Sequence, residues 1–330
     1  MGWGVSVVVD QLARNWNQNG HGMAIGCVEH DGSIAGLDIT EVDPTPAAIV
    51  AWLREKKAHT VVAHTSPFIE LLPHLPPTFR RWVWEHGDPT PAMFSDSASE
   101  RLRTRLHKIE KVYPAIDGVV AISKFIRHDI EWPDAHVVSN GCDHIVDRGC
   151  KQIAELTSSG GRPLRVGTLM RLGRGEASYK GNALFCELAA RAHAGGLRAE
   201  FLAMGRGTPE DAEALRAQGI AVKLNGSDAE RLAYLRGLDV FVSPSLWEGF
   251  NLPLVEAQAA GTLGAAFDTG AHPEVTPFVF SDLNELLVAI ARYAGSPELL
   301  WRHSRLCYHF VRDRFSWGRA AEDVSKLLCG

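Results

Sequence analysis

The sequence predicts an α/β protein of two doubly wound, Rossmann-like domains facing a cleft, on three observations. Its 330 residues, 45% of them hydrophobic, exceed one typical domain and suffice for two sizeable cores. Short apolar runs alternate with longer amphipathic ones, the pattern of β-α units and parallel sheets. The stretch TSSGGRP at residues 157–163 is rich in turn formers, separates two such series and reads as an interdomain linker. The first domain is thus expected over residues 1–156 and the second from 157 onward, with ligands at the carboxyl ends of their strands.

Val5, Val8, Val9, Leu12, Ala13 and Trp16 fall at helical spacing ahead of Asn19-Gly20, so a helix is expected first. A β-α domain normally opens with a strand, and the N-terminal domain therefore reads as lacking its first one. A strand over residues 5–9, favoured by its β-branched side chains, is the alternative. Strands are expected at 23–29, 60–63, 82–85, 118–122 and 136–139, then at 165–168, 199–204, 222–224, 240–242 and 263–267. Segments such as 182–194 and 229–235 have helical spacing between them.

Composition excludes some classes. With 34 basic and 39 acidic residues the formal charge is −5, so the chain has no overall attraction to nucleic acid and must meet any anion locally. Cys27, Cys142, Cys150, Cys186, Cys307 and Cys329 lie far apart without a C-x-x-C pair, which argues against a zinc site or a disulfide framework and fits a reducing cytoplasm. No apolar run approaches the roughly 20 residues that span a bilayer. The opening MGWGVS matches the short and common myristoylation pattern.

The segment SPSLWEGFNLPLVEAQAAG, residues 243–261, carries the chemistry. Residues 238–242 read as a buried strand, 243–251 as a loop, and Pro253 as the first residue of a helix, where a missing N–H costs nothing. Glu248 then sits on the loop and Glu256 in the first helical turn. The helix start, with Gly249 allowing close backbone approach, suits a phosphate. Carboxylates beside a phosphate would repel it, so they point to sugar hydroxyls instead. The plainer reading makes Glu256 an acid favoured by the helix dipole and Glu248 a solvated loop residue.

This pattern resembles the E-x7-E element of the retaining GT-B glycosyltransferases of glycosyltransferase family 4, the glycosyl transferases group 1. Other stretches carry the same resemblance: VGTLMRL at 166–172 with YKG at 179–181, FLAMGRG at 201–207, LNG at 224–226, LDVFVSPS at 238–245, GAHPE at 270–274 and NGCD at 140–143. It runs from Gly2 to Gly270. It implies the GT-B fold, a second domain over 157–305 that binds the donor, and closing helices over 306–330 that cross back to the first domain.

By that resemblance Arg171 and Lys180 hold the donor diphosphate and Glu256 the ribose. Glu248, with Gly249, Phe250, Asn251 and Leu252, meets the sugar, while Gly205 lies at the nucleotide pocket. Gly2 and Gly4 belong to a glycine loop near donor and acceptor. His86, at the end of a strand, is a hydrogen-bond donor in the transition state; Asp88 is an acceptor-side residue and, in an inverting reaction, a general base. Asn251 stands where the family commonly has glycine. Two cations and a helix start would stabilise the charge that builds on the leaving diphosphate.

The implied activity is transfer of a sugar from a nucleotide diphosphate, UDP or GDP, to a saccharide or lipid-linked alcohol, in polysaccharide or glycolipid synthesis. No cofactor is expected; the chain has no Asp-x-Asp, and the resemblance implies metal independence. An epimerase or phosphorylase on the same fold, or a non-catalytic nucleotide-sugar-binding protein, are the alternatives. Gly205-x-Gly207 is not a dinucleotide fingerprint, because Glu210 stands where a third glycine would. The segment from Glu100 to Tyr113, ERLRTRLHKIEKVY, is expected to be a basic amphipathic helix, either a peripheral contact with the cytoplasmic membrane face or a helix packed on the sheet.

Overall fold

The computed structural model describes every residue except 1–3, 31, 33, 95, 147, 156–161, 174–178 and 330. Gly2 and most of the expected 157–163 linker lie outside the described residues. The chain divides into two compact units, unit 1 comprising Met1–Gly141 and Ser316–Gly330, and unit 2 comprising Cys142–Phe315. Residues 142–155, at the end of the expected first domain, belong to unit 2.

Unit 1 runs α1 (Val5–Gln18), β1 (Ala24–Cys27), β2 (Asp38–Glu41), α2 (Pro46–Glu55), β3 (Thr60–Ala63), α3 (Phe68–Leu71), β4 (Arg80–Glu85), α4 (Ala98–His107), β5 (Gly118–Ala121), α5 (Lys124–Asp129) and β6 (His136–Val137). All its strand pairs are parallel. They fall into two pieces, β1-β2 and β3-β4-β5-β6, and no strand among the described residues joins them. The chain enters as the expected helix, because the apolar stripe of α1 buries Val8, Leu12 and Trp16. Helix α13 (Trp317–Cys329) covers α1, and the Trp16 indole N–H meets Ala321 O at 2.9 Å and Ser325 Oγ at 2.8 Å.

The segment from Glu100 to Tyr113 differs from its expectation. Helix α4 ends at His107 and passes into a π-helical turn, Lys108–Val112, then a 3-10 turn, Tyr113–Ala115. Leu102 and Leu106 are 47% and 44% exposed while Lys108 and Tyr113 are buried, so the apolar stripe does not face inward along its length. The expected cationic face is also partly spent: Lys108 pairs with Glu85, Arg105 with Asp129 and Glu131, and Arg101 lies over the Phe94 ring.

Unit 2 runs β7 (Leu164–Arg171), α6 (Asn182–Ala194), β8 (Ala199–Arg206), α7 (Pro209–Arg216), β9 (Ala221–Leu224), α8 (Asp228–Gly237), β10 (Val240–Ser243), α9 (Leu252–Ala259), β11 (Leu263–Phe267), α10 (His272–Val275), β12 (Val279–Phe280), α11 (Leu283–Gly295) and α12 (Pro297–Arg312). The strands form one parallel sheet in the order β12-β11-β10-β7-β8-β9. Its faces are covered by a core that includes Phe185, Phe201, Val242, Leu286 and Cys307. Strand order reverses between β7 and β10, the place where α/β sheets bind ligands.

Candidate functional site

Strands β7 and β10 lie side by side, so the segments leaving their carboxyl ends are neighbours. Gly181 caps α6 with φ +76°, and a Cβ there would stand 2.0 Å from Pro244 O. Gly270, φ +56°, closes the other side, where a Cβ would stand 2.4 Å from Glu248 O. Backbone bonds join the same three segments: Leu246 N–H donates to Tyr179 O at 2.7 Å, and Ala271 N–H to Glu248 O at 2.9 Å. The 243–251 loop is thereby fixed from both flanks, and neither glycine can gain a side chain without a backbone shift.

Lys180 and Glu248, expected to serve diphosphate and sugar, meet each other. Lys180 Nζ is 2.9 Å from Glu248 Oε1, which also accepts from Ser245 Oγ at 2.8 Å. Lys180 lies 5.0 Å above the Tyr179 ring. Arg171 ends β7 exposed, and the register sets Arg206 of β8 directly beside it. Sequence reasoning did not single out Arg206, although it sits inside the quoted FLAMGRG. Gly205 serves packing: a Cβ there would stand 2.0 Å from Met170 O on β7. Phe250 and Leu252 are buried, Phe250 edge-on to Phe315 at 5.2 Å.

Helix α9 starts at Leu252, with Asn251 as its cap. Asn251 has φ +67°, a left-handed conformation that costs an ordinary L-residue about 1 kcal/mol and suits asparagine after glycine. Its Oδ1 accepts from Leu254 N–H at 3.2 Å. Pro253 has no N–H and the Leu254 amide is taken by the cap, so neither of these two residues offers a free backbone donor at the helix start.

Glu256, expected at the ribose and in the first helical turn, lies past the first turn of α9 and is enclosed. Its residue is 0% exposed; Oε1 is 2.9 Å from His144 Nε2, and Oε2 is paired with Arg231 of α8. Burial alone would raise its pKa, but the His144 hydrogen bond and the Arg231 charge outweigh it and hold the carboxyl below its ordinary 4.5. Neither partner was foreseen, since Arg231 lies 25 positions upstream and nothing local marks the meeting.

In unit 1, His86 and Asp88 follow β4. His86 Nε2 is 3.1 Å from His64 Nδ1, and the His64 ring stacks on Trp84 with centroids 5.6 Å apart. Burial pushes His64 down to about 4 and His86 well below 6.5, with His64 and Lys108 adding to the second shift. Both rings are neutral at pH 7, so one donates to the other and the pair shares a single tautomeric choice. Asp88 accepts from Lys108 Nζ at 2.8 Å, and the same ammonium holds Glu85 at 2.9 Å. Tyr113 O–H completes this cluster on Glu85 at 2.7 Å. Gly4 caps α1 with φ +75°.

Comparison with known proteins identifies the architecture. Residues 167–295 match the family Glycosyl transferases group 1. The MMP alpha-(1->4)-mannosyltransferase of Mycolicibacterium hassiacum is 38% identical over 106 residues, 29% of this chain and 25% of that protein. The phosphatidyl-myo-inositol mannosyltransferase of Mycolicibacterium smegmatis is 26% identical over 262 residues, 75% and 63% of the respective lengths. The matches therefore span between a quarter and just under two thirds of these relatives. Among solved structures, sucrose-phosphate synthase from Thermosynechococcus elongatus superposes with a TM-score of 0.74 at 16% identity, over 98% of this chain and 92% of that one. The fold is GT-B, as the sequence motifs implied, and residues 167–295 are similar to the group 1 glycosyl transferases.

Removing one partner of a buried pair strands the other charge. Glu256→Ala is expected to cost about 3–5 kcal/mol in urea unfolding, and Glu256→Leu with Arg231→Leu to recover most of it. Because the folded carboxyl sits below its unfolded value, this stabilisation is complete above the ordinary glutamate range and is lost as pH falls through the depressed value. A Glu256→Ala protein within about 1 kcal/mol of the unaltered chain would overturn the assignment.

Proposed function

We propose that the chain is a retaining, metal-independent hexosyltransferase moving a mannosyl group from a nucleotide-diphosphate sugar to an alcohol acceptor in cell-envelope glycolipid or polysaccharide synthesis. The observation that carries this reading is the Lys180–Glu248 pair at the strand-order reversal, beside the start of α9. It joins a cation suited to a diphosphate and a carboxylate suited to sugar hydroxyls in one fixed place. The mannosyltransferase names of both relatives support the choice of sugar.

In the proposed reaction the bond from the anomeric carbon to the diphosphate oxygen breaks and the acceptor oxygen bonds on the same face. The acceptor proton passes to the departing phosphate oxygen, and the nucleoside diphosphate leaves. Negative charge grows on the leaving group, where Arg171, Lys180 and the positive end of α9 oppose it. Donor phosphate competes with Glu248 for Lys180, and a sugar hydroxyl takes up the carboxylate oxygen so released. Glu256, closed off by His144 and Arg231, is left to order that part of the unit and not to hold ribose. His86, neutral, is assigned to the acceptor side as a hydrogen-bond donor, and Asp88, held by Lys108, as a polar contact there.

Lys180→Ala is expected to lower kcat/KM about 100- to 1,000-fold, the effect of losing one preorganised donor on a developing charge. The assay follows the mannosylated product of GDP-mannose and phosphatidylinositol, with other nucleotide sugars as controls. Turnover should persist in EDTA. No product from any donor, or a requirement for added magnesium, would sink the respective part of the proposal.

A lipid-linked acceptor fits one further feature. Among the described residues no helix is long and apolar enough to cross a membrane, but Leu102 and Leu106 project one turn apart on α4 beside exposed Arg103, His107 and Lys111. We propose that this face rests on anionic lipid. The unaltered chain should co-sediment with phosphatidylglycerol vesicles, and Leu102→Ser with Leu106→Ser should reduce the bound fraction several-fold. Equal sedimentation of both proteins would contradict this contact.

A further inference from the structure

Beneath the 243–251 loop lies a buried polar network that the donor reading leaves unused. His272, 0% exposed, opens α10. Its Nδ1 is 2.8 Å from Phe267 O; a carbonyl only accepts, so Nδ1 carries the proton and Nε2 is an acceptor. Asn251 Nδ2 donates to that Nε2 at 2.9 Å and to Ser243 Oγ at 2.6 Å. The Leu254 N–H on Oδ1 fixes which way the Asn251 amide faces. Ser243 Oγ is 3.1 Å from His272 Nε2 and 3.4 Å from Ser245 Oγ, and Ser245 donates to Glu248. A continuous chain of polar contacts thus runs from the ring through the left-handed residue to the carboxylate paired with Lys180.

We propose that His272 is a positioning residue for the sugar half of the donor, acting through Asn251. Asn251 is at once the turn that ends the loop and the cap that starts α9, so its side-chain anchor sets where the 249–251 backbone faces a ligand. Lys180 and Arg171 stand on other segments, on the side of β7, so the diphosphate should lose less than the sugar when that anchor is removed. The inference rests on the donor-site reading above and adds which residue determines sugar contact.

Protonation offers an independent handle. Burial lowers the His272 pKa, Glu248 and Asp268 pull it up, and Lys180 pushes it down. A proton on Nε2 would set a donor against the Asn251 amide donor and break the anchor. Affinity for the nucleotide sugar should therefore fall as pH drops below the ordinary histidine value of 6.5, with affinity for the nucleoside diphosphate changing less.

Calorimetric titration of the full chain with GDP-mannose and with GDP tests this. His272→Leu should weaken GDP-mannose binding about tenfold or more and GDP binding less than about twofold. Asn251→Gly, which keeps the left-handed backbone, should reproduce that split. The double variant should be no worse than either single one, as expected for residues acting as a unit. His272→Gln, able to accept from Asn251, should restore part of the sugar affinity and abolish its acid limb. Unchanged GDP-mannose affinity in the variants, or equal loss for both ligands, would overturn the proposal. Failure of the unaltered chain to bind either ligand would instead overturn the donor reading and remove its basis.

Discussion

The ion pair between Lys180 and Glu248 is the constraint around which unit 2 is arranged. It exists because two parallel strands, β7 and β10, lie adjacent although 68 residues separate the two partners, an adjacency created by the reversal of strand order. It holds its geometry because Gly181 and Gly270 let two backbones press on the loop from either side. A long loop over a sheet would ordinarily be mobile; here backbone bonds, a capped helix and a buried polar network tie it down. Such rigidity is what a site needs if charge stabilisation is to cost no reorganisation during reaction.

Unit 2 also buries charge repeatedly, each time with a partner. Asp239 takes Arg162 at 2.5 Å and the Arg165 amide at 2.8 Å. Glu256 takes Arg231 and His144. Lys151, pushed by burial down to about 7, donates to Leu238 O and, at 2.9 Å, to Thr262 Oγ1. Burying ions is costly unless every oxygen and proton is met, and these pairs join segments distant in sequence: residues 151 and 162 to the ends of α8 and β10, and α8 to α9. They fix which elements lie together more than they add stability.

The alternating pattern made the fold legible, since strands such as Thr60–Ala63 and Leu263–Phe267 are short apolar runs between helical ones. Asp38–Glu41 escaped because exposed acids end it and the two residues between them are only part-buried, and Val279–Phe280 because two residues carry no periodicity. At the site, residue types and spacing brought out Lys180, Glu248 and Asn251, but not what they touch. Glu256 has the same identity and helical position whether it faces a ribose or a buried arginine; only the tertiary position of Arg231 decides. Asn251 looked like a departure from glycine until His272 and Ser243 supplied its compensation. The stripe on α4 left its side open because helical spacing does not tell which end of a helix leaves the core.

In the proposed donor site, the loop between β10 and α9 and the segment entering α6 together receive a nucleoside diphosphate. Amide hydrogen exchange of the full chain, with and without saturating GDP or UDP, tests it directly. One nucleotide should slow exchange in residues 179–182 and 250–254 well beyond any change in the rest of unit 2. Unchanged exchange in both segments, with protection elsewhere, would contradict the account.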